Sequence, residues 1–233
     1  LDSYEITGLN NIKSGKDDTE AIEKVNELVD YIRGEFISDN RNHKIASKIR
    51  AHLMEEGYYY CKVIPVIHSI SETKNRAKLI FDVYEGPQIK VKYVNIYAKE
   101  RFSKFRKTKM KYKMKVDAGD IFKTGEFEND VNVIKVGLWN KGHINSKVTY
   151  DIINYSPENK VGLNIYIEKG RQYKVKDFTV SGNTYFENDK LLNLVKLEKG
   201  EFFSYDNYMD SIKTITEKYS EEGYIETRVE PEQ

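Results

Sequence analysis

The sequence is poor in the residues that cross-link chains or carry catalysis. Cys61 is the single cysteine among 233 residues, so no intramolecular disulfide can form and the fold cannot depend on one. Prolines number four, and low-complexity sequence is scarce, which fits folded, well-solvated modules rather than long linkers. No apolar run approaches a membrane span and Leu1 opens no signal peptide, so the chain reads as a soluble segment cut from something longer. Neither sign of charge dominates: 38 basic against 37 acidic residues leave a net +1 and no global pull toward nucleic acid. His43, His52, His68 and His143 are scattered without an i, i+4 pair, and no metal site is expected. A G-x-S-x-G elbow, a phosphate loop and a dinucleotide fingerprint are all missing. Glu55-Glu56 and Glu221-Glu222 are paired carboxylates, but neighbours on a helix point apart, so they read as surface residues. Catalytic residues and cofactor ligands are therefore not expected from these residues.

What is present is repetition. Val116–Val148 aligns without a gap on Leu197–Val229, 81 residues later, placing Gly119 on Gly200, Phe122 on Phe203, Ile134 on Ile215 and Gly142 on Gly223. A second pair, Glu85–Ile96 and Lys169–Val180, shares the frame G-x-Q-x-K-V-K. Two segments repeating at 80-odd residues mean a tandem array.

The pattern predicts three modules, 1–87, 88–171 and 172–233. The first opens with a short strand, Tyr4–Thr7. A helix follows, with Ile22, Val25, Val29 and Ile32 at helical spacing and Gly34 as its stop. A second helix over Asn42–Glu56 turns Ala46, Ile49 and Leu53 inward, and two strands follow, Tyr59–Ile70 and Ala77–Tyr84. The second module repeats the order with a strand over Ile89–Tyr97, with Val91, Tyr93 and Asn95 on one face. Its first helix falls somewhere in Lys99–Met114, and its second carries Phe127, Val131, Ile134 and Leu138 on one face. Strands His143–Asn154 and Val161–Glu168 close it. The third module has a strand Tyr173–Val180, a helix Glu187–Leu197, a helix through Tyr208, Ile212, Ile215 and Tyr219, and a strand Tyr224–Pro231. The fold class is α+β: small βααββ modules, each a three-stranded sheet with two helices on one face, the third lacking its last strand.

The residues V-S-G-N-T (Val180–Thr184), K-G-E-F-F-S (Lys199–Ser204) and E-E-G-Y-I (Glu221–Ile225) in this order of elements resemble a POTRA domain. Tandem POTRA domains stand on the periplasmic side of the BamA/TamA outer-membrane β-barrel superfamily. The resemblance implies a non-enzymatic periplasmic receptor and scaffold for outer-membrane protein assembly. Its implied partners are unfolded outer-membrane proteins, accessory assembly subunits and a covalently continuous β-barrel after residue 233. It also implies that the second strand of each module is the exposed edge, where a client adds a strand by backbone bonding. The candidate client-binding residues are then Lys62, Val63 and Ile64, Lys147, Val148 and Thr149, and Thr227, Arg228 and Val229. The Lys or Arg in each stretch equally suits a charge that keeps an edge from aggregating.

Two other readings come from particular residues. Lys99–Lys115 holds nine Lys/Arg among 17 residues and could meet anionic lipid or nucleic acid, though such a run is more often one solvated face. The near-neutral whole chain and the lack of a nucleic-acid motif argue against a nucleic-acid partner. A POTRA segment of a two-partner secretion or organellar import channel is a further alternative. Trp139, beside core position Leu138, suits packing at a module junction, and the near absence of linker at Pro87-Gln88 and Arg171-Gln172 predicts modules that touch.

Overall fold

In a computed structural model of the chain, the described residues are 1–10, 18–71, 76–99, 110, 111 and 113–230. The chain divides into two compact units. The first holds Leu1–Val94, Lys115–Glu128 and Ile152–Leu163; the second holds Asn95–Met114, Asn129–Asp151 and Asn164–Gln233.

The first unit begins with β1 (Ser3–Thr7), α1 (Asp18–Glu27), α2 (Asp39–Glu55), β2 (Lys62–Ser71) and β3 (Arg76–Tyr84). Leu79, Phe81 and Val83 alternate along β3 and are essentially buried. A strand with that much apolar surface on one face seeks a place with neighbours on both sides, and the sheet order is β1-β3-β2. β1 runs parallel to β3, with Ile6 opposite Phe81, while β2 runs antiparallel, with Val63 opposite Val83 and Pro65 opposite Phe81. Val25 of α1 and Ile45, Ile49 and Leu53 of α2 pack on this face, the last three at helical spacing.

Helix α1 ends seven residues before Gly34, and Ile32, expected inside, is 70% exposed. Tyr31 goes inward instead. Its hydroxyl donates to Asn42 Oδ1 at 2.9 Å and accepts from the Ser38 N–H at 3.0 Å, partners that a continued helix would not present. Cys61 is buried in the same core.

The second sheet is built from β4 (Lys90–Ala98), β5 (Lys147–Tyr155) and β6 (Lys160–Glu168), in the order β4-β6-β5. The helix of its repeated block is α3 (Thr124–Trp139), and all four expected apolar positions, Phe127, Val131, Ile134 and Leu138, are buried. The one-face alternation expected along β4 fails, because Val91 and Val94 are both buried. The link before α3 explains the first of these. It closes over the start of the strand, with Val91 N–H donating to Asp120 C=O and Gly119 N–H to Val91 C=O, each at 2.8 Å. The expected first helix of this module lies almost wholly outside the described residues.

The third repeat carries α4 (Asn188–Leu192) and α5 (Tyr205–Glu221) around a small core of Phe186, Leu191 and Ile215. Helix α4 ends at Leu192 rather than Leu197, and the chain continues in turns, Leu194 N–H to Leu191 C=O and Val195 N–H to Leu192 C=O. Among the described residues neither expected strand of this repeat forms: 173–180 is bonded to the link before α5 around the isolated bridge Lys174↔Phe202, and 224–230 pair with no described strand. In both complete sheets the last strand lies between the other two, so without a strand in that role the outer two have nothing to pair with.

Candidate functional site

The three stretches proposed from sequence fall in two kinds of place. Lys62, Val63 and Ile64 start β2, and Lys147, Val148 and Thr149 start β5, and both strands are outermost in their sheets. Lys62, Ile64, Lys147 and Thr149 are exposed, and Val63 and Val148 are half-buried. An outer strand bonded on one side turns every second N–H and C=O away from its neighbour. Thr227, Arg228 and Val229 are not in a strand: Thr227 Oγ1 donates to Tyr224 C=O at 2.9 Å, and Val229 packs on the third core. The basic stretch lies mostly outside the described residues; Lys99 at its start pairs with Glu168 at 3.3 Å.

Sequence reasoning named Trp139 for a junction but missed the other side chains at the ends of the long helices. Helices α2, α3 and α5 all finish alike. The glycine after each (Gly57, Gly142, Gly223) has φ between +80° and +90°, and the next N–H (Tyr58, His143, Tyr224) reaches back five residues. That is the bonding of a Schellman close, where a left-handed residue is needed and glycine is the least strained choice.

Two of these helix ends hold the following module. Within the first unit, Gly57 C=O accepts from the Ile89 N–H at 2.9 Å, Gln88 Nε2 donates to Glu56 C=O at 3.0 Å, and Glu55 Oε1 accepts from the Gly125 N–H at 2.8 Å. Tyr59 meets Phe122 edge-on, with centroids 5.1 Å apart. Within the second unit, Gly142 C=O accepts from the Tyr173 N–H at 2.8 Å and Gln172 Nε2 donates to Lys141 C=O at 2.7 Å. Asn140 Oδ1 accepts from the Asp206 N–H at 2.7 Å, and Trp139 packs on Tyr205 at 5.0 Å. Glu55 and Asn140 each stand two residues before the glycine. Gly125 and Asp206 each stand in the first turn of the next long helix, where unpaired N–H groups attract acceptors.

Glu55 is therefore a junction residue and not the plain surface carboxylate that the sequence suggested. The signal that was available is the glutamine of the G-x-Q-x-K-V-K frame, whose amide makes the same bond at both junctions. The bracing of the first strand by the link before the second helix also recurs. Phe122 N–H donates to Ile89 C=O, and Phe203 N–H to Tyr173 C=O.

Glu158 is held below the usual carboxylate range by its bond from Lys92, and Asp177 by Lys199. Among the described residues no three His, Cys, Asp or Glu side chains converge as a metal site, and no helix is long and apolar enough to cross a membrane.

A family model described as POTRA, surface antigen variable number repeat, matches residues 91–170 and 173–233. The outer membrane protein assembly factor BamA of Buchnera aphidicola subsp. Acyrthosiphon pisum (strain APS) is 25% identical over 177 residues, covering 72% of this chain. The chain spans only 28% of that protein's length. The crystal structure of Haemophilus influenzae BamA POTRA3-5 has the same fold, with a TM-score of 0.66 and 15% identity over 94% of this chain and 85% of that one. BamA from Haemophilus ducreyi lacking POTRA domains 1-3 matches at a TM-score of 0.52 and 14% identity, over 70% of this chain and 27% of that one. With the family model covering more than half of its residues, and the sheet order and helix ends repeating between modules, this chain belongs to the POTRA family as a tandem array.

Proposed function

We propose that the chain is a periplasmic receptor and scaffold segment of an outer-membrane protein assembly or translocation factor, with modules at 1–87, 88–171 and 172–233. Its clients are unfolded outer-membrane β-barrel proteins, taken up by strand addition at the outer strands. One observation carries this reading: in both complete sheets the second strand of the module is outermost, its backbone bonded on one side by the central strand. Backbone bonding gives affinity with little demand on sequence, which suits a receptor for many clients. The relatedness to an assembly factor supports the client class.

Amide hydrogen exchange of this chain, with and without a urea-diluted outer-membrane barrel protein, tests it. Protection is expected to rise in the outer strands and to stay unchanged in the central strands β3 and β6. Protection confined to the helices, or none at all, would sink strand addition.

A further inference from the structure

The second strands of the two sheets, β2 and β5, are not equivalent as edges. β2 is paired with β3 without interruption from Lys62↔Tyr84 through Ser69↔Ala77, and Pro65 sits inside that run opposite Phe81. In an antiparallel ladder successive N–H groups point alternately toward and away from the partner. A proline survives in such a run only where its missing N–H would have pointed away. The gap therefore lies on the outer edge of β2. On that edge the donors flanking Pro65 are those of Val63 and Ile67, about 13 Å apart instead of about 7 Å, with the pyrrolidine ring between them. Beyond Ser69 the register shifts, Ser71 pairing with Arg76, and a bulge there bends the strand end away from a straight partner.

β5 carries neither proline nor glycine over its nine residues, Lys147–Tyr155. Its sequence, KVTYDIINY, includes β-branched Val148, Thr149, Ile152 and Ile153, which suit a pleated edge. Lys147 and Asp151 lie on one face with opposite charges, so the strand repels neither sign of partner. We infer that, of these two strands, strand addition takes β5, and that Pro65 keeps the β2 edge of the first sheet closed. The occupant is an extended polypeptide segment of alternating apolar and polar residues, long enough to run the length of β5. This rests on the strand-addition reading and narrows its two proposed edges, β2 and β5, to one.

The test uses the whole chain carrying a benzoylphenylalanine at Ile64 or at Thr149, both exposed. The probe is a biotinylated peptide of about ten residues, alternating Val and Thr with a lysine at each end. Photo-cross-linking at position 149 is expected to exceed that at 64 by about tenfold, the scale set by backbone bonds that cannot form. Pro65→Val is expected to raise the yield at 64 toward that at 149, and Pro65→Thr gives a second opening variant if one of them folds poorly by circular dichroism. Equal yields at 64 and 149 in the wild-type background would overturn the edge restriction and leave strand addition standing. A silent position 64 in folded Pro65 variants would overturn the role of Pro65. Silence at both positions would remove strand addition itself.

Discussion

Asn140 and Asp206 hold each other at both ends of the amide: Asn140 Oδ1 accepts from the Asp206 N–H at 2.7 Å, and Asn140 Nδ2 donates to Asp206 Oδ2 at 2.6 Å. At the other junction the partners are Glu55 and Gly125, and a Cβ on Gly125 would come within 2.9 Å of the Glu55 carboxylate. A longer side chain faces a glycine in one place, and a shorter one faces an aspartate in the other.

This pairing makes Asn140 intolerant of a charge. Asn140→Asp keeps the acceptor for the helix N–H but sets two carboxylates against each other. Asn140→Ala is expected to cost about 1 kcal/mol, the usual value of a lost cap, and Asn140→Asp to cost at least as much. Adding Asp206→Asn to Asn140→Asp is expected to recover stability. A double-mutant cycle by urea denaturation reads the coupling, and additive effects would refute the paired geometry.

The three helix-ending glycines are expected to differ in their tolerance of alanine. A Cβ at Gly223 meets nothing within 4 Å, so Gly223→Ala carries only left-handed strain, about 1 kcal/mol. At Gly57 the obstacles are Ile121 Cγ2 at 2.3 Å and Gln88 Cγ at 3.0 Å, side-chain atoms that can shift. At Gly142 the obstacle is the Tyr173 carbonyl oxygen at 2.5 Å, which is backbone. The expected order of loss is Gly142 above Gly57 above Gly223, measured as urea midpoints.

Cys61 is 1% exposed, and burial pushes its thiol pKa up. A thiol-reactive dye at pH 8 is expected to label it at least about a hundredfold more slowly than in urea, because the thiolate forms only when the core opens. Destabilising the first module, for instance with Gly8→Ala, whose Cβ would lie 1.9 Å from the Val83 carbonyl oxygen, is expected to speed the labelling. Gly223→Ala is expected to leave it unchanged.

Asp2 accepts from Arg76 and pairs with Arg33, and these cations hold its carboxyl below the usual range. A lowered folded-state pKa gives stability that is present above the unfolded pKa and lost as pH falls through the folded one. Asp2→Asn is therefore expected to melt lower than wild type at pH 7, with the gap closing below about pH 4. Melting curves across that range check it; a gap that persists in acid would assign the effect to packing.

Long apolar periodicities were legible in the sequence: α2, α3 and α5 stand where a period of 3.6 puts them and β3 where a period of 2 does, while β4 breaks its alternation. The end of α1 was not, because the inward turn of Tyr31 depends on Asn42 and Ser38 contributed from a distance. The third module misled for a different reason. Residues 173–180 and 224–230 have strand-like composition, but a strand exists only by pairing, and composition does not reveal that both need the same central partner. The edges could be anticipated from the family resemblance. Glu55 and Asn140 could not, since a carboxylate and an amide two places before a glycine look like any helix surface.

Placing the last strand in the middle sets an order of events for a chain delivered from its amino end. Thr7 and Asp82, bonded across the first sheet, are 75 positions apart, so the keystone arrives after both of the walls it joins. Between the emergence of Ser71 and Tyr84 the walls stand apart, for about a second at common rates of synthesis. A ribosome pause or a protease cut in that interval would strand both of them at once, whereas the same interruption after Tyr84 would find the vault already shut.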